Sequence, residues 1–233
     1  MVEECVPWRV RDAVLVLMLG ACIAALLLAA ARSLYLLQGG LDHPPVALTM
    51  LATAALYLAL LAAVWALIVR RYRTDWAAIG LRLPQRDALP PMLLLAALLV
   101  LCSAFIALGL SALLGAVGLI PNVRLVSDVS GQAGPLLVLG LVVSLLLAPL
   151  AEEVVFRGIL YQSLRKRMGA TRATMGSALA FAALHAQPAL WPQLVLLGVI
   201  LALAFERMRS LYPALCLHAA YNGAVIVLAW RMA

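Results

Sequence analysis

Residues 135–160 read PLLVLGLVVSLLLAPLAEEVVFRGIL, and this stretch decides what kind of fold the chain can have. It is long enough to cross a bilayer core, which takes roughly 20 apolar residues. Yet it carries Glu152, Glu153 and Arg157 in its second half. An ionisable group at the centre of a membrane costs about 2.5–3.5 kcal/mol on insertion scales. Such groups therefore face one another or a water-filled cavity. Pro149 lies just before them and lacks the N–H that would satisfy a carbonyl one turn earlier. The sequence thus predicts a kink with free backbone carbonyls at that point.

The rest of the chain supports a membrane setting. Its 233 residues are 66% hydrophobic and 12% charged, with a mean hydropathy of +1.08. Soluble proteins run near about 45–50% apolar and about 25% charged. Seven apolar stretches, 13–37, 46–69, 92–118, 135–160, 173–188, 191–206 and 213–231, predict an all-α polytopic bundle of about seven transmembrane helices. The whole of 1–233 reads as one integral membrane domain. The N-terminal stretch is too long for a signal peptide and reads as a retained span.

The net charge of +7 does not point to nucleic acid, because the basic residues sit at span ends. Arg9 and Arg11, then Arg70, Arg71, Arg73, Arg82 and Arg86, then Arg165, Lys166, Arg167 and Arg172, then Arg207 and Arg209 fall in alternate connections. That alternation predicts a cytoplasmic N-terminus and an outer C-terminus. The alanine, leucine and arginine bias with a single lysine suggests a bacterial inner membrane. The four cysteines form no CxxC, and neither disulfides nor a cysteine metal site is expected.

Polar groups recur in the later spans. His185 lies in a charge-free run from Ala173 to Phe205, and His218 and Asn222 in another from Ser210 to Trp230. The third histidine, His43, belongs to a short loop. Glu153 and Arg157 stand at i, i+4, so an ion pair on one helix face is expected. Glu152 points about 100° away from Glu153 and stays free of the arginine. Phe181 shares a face with His185, as His218 does with Asn222. A buried glutamate suits a general base that activates water, and histidines suit proton transfer and oxyanion stabilisation. Glu152 with the two histidines also matches a catalytic zinc ligand set, though without HExxH. The residues alone leave a metal-free and a zinc-dependent hydrolysis open. A polar-lined transporter, or a non-catalytic immunity or scaffold protein, would use the same groups without cleavage.

Three motifs stand in order: EEVVFR (152–157), FAALH (181–185) and HAAYN (218–222). They resemble the EExxxR, FxxxH and HxxxN motifs of the CAAX protease and bacteriocin-processing family, also called the Abi family, of membrane-embedded endopeptidases. The resemblance covers residues 135–230. It implies that Glu152 activates water and His185 assists. His218 and Asn222 would stabilise the oxyanion, and Glu153 and Arg157 would support the geometry. It implies a membrane-associated protein or peptide substrate. Both metal-dependent and metal-free mechanisms are attached to the family.

Overall fold

A computed structural model describes residues 6–37, 39, 45–84, 132–185 and 188–232, with isolated positions between 90 and 109. Among the described residues every regular element is helical. The elements are α1 (Val10–Leu37), α2 (Val46–Val64), α3 (Trp76–Ile79), α4 (Gly134–Val142), α5 (Ala148–Glu153), α6 (Gln162–Leu184), α7 (Trp191–Met208) and α8 (Leu211–Met232). Wider π-helical turns extend α2 through Trp65–Arg70 and join α4 to α5 (Val143–Leu147) and α5 to α6 (Val154–Tyr161).

Four helical runs are long and apolar enough to span a membrane: Val10–Leu37, Val46–Arg70, Gly134–Leu184 and Trp191–Met208. The apolar part of the last helix, Leu211–Val227, is shorter. The count of seven is therefore approximate. The expected span at 92–118 lies outside the described residues, save for isolated positions, as do His43, Cys5 and Cys102. The expected spans 135–160 and 173–188 are joined in one helical run that breaks at Gly169, whose φ of 76° glycine alone adopts freely.

Burial separates the helices into a centre and a periphery. Over its most apolar window α7 is 56% buried, whereas α1 and α2 are each 17% buried. The latter turn leucines such as Leu26, Leu28, Leu51 and Leu58 outward, the side that lipid covers. At the centre, all eight residues of Val154–Tyr161 are buried. They pack with α6, α7, α1 and α8. Gly198 lets α7 close on α6: a Cβ there would come within 2.9 Å of Ala178 Cα.

One end of the bundle gathers the basic connections. Trp8 donates its indole N–H to the Ile159 carbonyl (3.2 Å), and Lys166 reaches the Val6 carbonyl (3.3 Å). Tyr72 donates to Asp12 (2.7 Å), and this bond, followed by burial, pushes the tyrosine's pKa upward. Gln162 ties the loop at Ala78 and Ile79 to the same end, and Glu206 accepts from Arg165 and Arg209. The segment 70–84 thus docks on this end.

Candidate active site

The π turn Val143–Leu147 sets the first feature. In this register Ala148 N–H donates to the Val143 carbonyl, five residues back. The next donor in that ladder would be residue 149, whose partner is Ser144. Proline has no N–H, so the Ser144 carbonyl is left over. Asn222 Nδ2 donates to it at 2.9 Å, which draws α8 against this turn. The freed carbonyl expected at Pro149 is therefore present, and its partner is the asparagine expected at the site.

Four residues further on, the adjacent glutamates part company. Glu153 is fully buried. Its Oε1 accepts from Arg157 at 2.8 Å and from His218 Nδ1 at 2.9 Å. Arg157, equally buried, also donates to the Gly198 carbonyl at 3.0 Å, and its guanidinium lies 4.7 Å from the centre of the Phe181 ring. The ring itself packs edge-on against Phe156 and His218. Phe181 thus acts as a packing wedge that holds the cation and the imidazole.

Glu152 makes no bond to the arginine. It accepts from the Tyr57 hydroxyl through Oε1 at 2.6 Å. Its Oε2 faces His218 Nε2 at 3.6 Å and His185 Nε2 at 3.8 Å. Both imidazoles are oriented from behind. His185 Nδ1 donates to the Phe181 carbonyl at 2.7 Å. His218 Nδ1 donates to the Glu153 carboxylate, which only accepts when ionised. With Nδ1 committed, each ring turns its Nε2 towards Glu152. Glu152, His185, His218 and Asn222 line one cavity of about 240 Å³.

Tyr57 and Gln193 are among the polar lining residues outside the motifs. Tyr57 comes from α2, and Gln193 from the first turn of α7. The sequence signal for Tyr57 is a hydroxyl in the middle of an apolar run, but nothing in the spacing ties it to a glutamate 95 positions away.

Ligands about 2.1 Å from a tetrahedral zinc stand about 3.4 Å apart, and the glutamate–histidine separations here are 3.6 and 3.8 Å. Among the described residues no group of three or more His, Cys, Asp or Glu side chains is arranged to hold a metal ion. Separations of 3.6 and 3.8 Å suit a water that bridges Glu152 to an imidazole.

A bundle of apolar helices around carboxylates and imidazoles defines an integral membrane protein. Over residues 134–224 the chain carries a domain matching the family described as type II CAAX prenyl endopeptidase, Rce1-like, which bears out the CAAX protease and bacteriocin-processing resemblance. The matched segment runs from α4 into α8 and contains all three motifs. That family supports intramembrane endopeptidase activity in general. No curated protein and no solved structure matches the chain.

Proposed function

We propose that the protein hydrolyses a peptide bond of a membrane-associated protein or peptide, with Glu152 as the general base. The observation that carries this reading is the convergence of Glu152 Oε2 with the Nε2 atoms of His185 and His218 in one cavity. A water bridging Glu152 to an imidazole is polarised for attack. Glu152 takes its proton as the water oxygen bonds to the scissile carbonyl carbon. The C–N bond then breaks, and Glu152 returns the proton to the leaving amine.

The oxyanion needs donors where its charge develops. His218 spends Nδ1–H on Glu153, so it donates from Nε2 only as an imidazolium. The carboxylates of Glu152 and Glu153 beside it offset that cation. Asn222 spends one amide hydrogen on Ser144 and keeps the second for the oxyanion. His185, held by the Phe181 carbonyl, orients the water. Glu153 and Arg157 fix His218. A prenylated CAAX protein, the substrate class in the family's description, is one candidate; a bacterial peptide or sorting signal matured at an inner membrane is another.

The test compares membranes from cells making the wild-type chain, Glu152→Gln, or neither, by mass-spectrometric mapping of new protein termini. Termini that appear with the wild type alone are expected. The same termini in the Glu152→Gln membranes would overturn the assignment. Cleavage of a synthetic peptide spanning a mapped bond is expected to continue in EDTA. Activity lost to EDTA and restored by zinc would replace the water-only arrangement with a metal-dependent one.

A further inference from the structure

From the contact between α2 and Glu152 we infer that Tyr57 is a positioning residue for the general base, so the site is completed by a helix outside the matched segment. This rests on the reading of Glu152 as that base. A carboxylate has two equivalent oxygens and rotates freely about its last torsion unless something distinguishes them. Here the Tyr57 hydroxyl takes Oε1 in a 2.6 Å bond. Only Oε2 then remains to face the two imidazoles. The bond is short, as expected for a hydroxyl donating to a carboxylate.

Among the described residues the Tyr57 hydroxyl bonds to one group. The residue is set in a charge-free apolar helix, where a phenol needs a partner for its O–H. Its partner is Glu152, 95 residues further along the chain. Thr53, one turn earlier on α2, lines the same cavity, so this face of α2 forms a wall of the site. The matched domain begins at residue 134 and lacks that wall. Losing the bond would let the carboxylate turn and spread its two oxygens over several orientations, with only some facing the water.

Tyr57→Phe keeps the ring and removes the hydroxyl. The first readout needs no substrate. The carboxylate stretch of Glu152 is isolated by infrared difference between the otherwise identical chains with Glu152 and Glu152→Gln, then measured again in the Tyr57→Phe background. The band is expected to shift. A band that stays in place overturns the inference. The second readout uses the synthetic peptide spanning a mapped bond. The kcat is expected to fall about 10- to 100-fold with KM held, the loss of one hydrogen bond to a charged group. A change in kcat within about twofold overturns the inference. If Glu152→Gln itself cleaves normally, the hydrolytic reading fails, while the infrared comparison still decides whether Tyr57 orients this carboxylate.

Discussion

Glu153 and Arg157 stand one helical turn apart, both with no solvent exposure. A buried ion pair gains little over apolar residues of the same size, because desolvation offsets most of the attraction. Removing one partner is different, since it strands a charge in a medium that cannot solvate it. Arg157→Met should therefore cost about 3–5 kcal/mol of stability. It should also release His218, whose Nδ1 shares the same Glu153 oxygen. Thermal unfolding in detergent, followed by tryptophan fluorescence, checks the first expectation. The pair was legible in the sequence because four residues of helix return to the same face. The second bond of Glu153, to His218, was not legible. It spans 65 residues and depends on how α8 lies across α5.

At the scale of the element, the joint between α4 and α5 explains why Asn222 lies where it does. Pro149 removes one N–H from the π ladder, and the Ser144 carbonyl turns to Asn222 instead. Pro149→Ala restores a backbone donor for that carbonyl. The amide of Asn222 then loses its exclusive partner. The two sites should be coupled: Asn222→Leu lowers the unfolding temperature of the wild type more than it lowers that of Pro149→Ala. A double-mutant cycle measures this, and additive effects would refute the coupling. The proline signalled a free carbonyl from sequence alone. Which carbonyl it was depended on the register, since an α-helix would free Leu145 rather than Ser144.

For the whole molecule, the positive charges of four connections meet at one end of the bundle through Lys166, Arg165, Glu206, Tyr72 and Asp12. The alternation of basic connections along the chain had predicted that they share a side. The positive-inside rule predicts that this side is cytoplasmic. In a chain stripped of native cysteines, Arg167→Cys should react with a membrane-impermeant thiol reagent only after the membrane is opened. Gly39→Cys, at the far end of α1, should react in intact cells. The reverse pattern would invert the orientation.

Composition and spacing by themselves determined that this is a helical membrane protein. They determined too that its few polar residues must meet, because hydrocarbon gives an isolated charge or imidazole no partner. They also placed residues that share a helix face, since that follows from 3.6 residues per turn. Spacing already separated the two carboxylates, since only Glu153 has the arginine one turn on. Only the tertiary structure decided their remaining partners: Tyr57 and the histidine Nε2 atoms for Glu152, and the back of His218 for Glu153. Those contacts come from helices that packing, not sequence proximity, brings together.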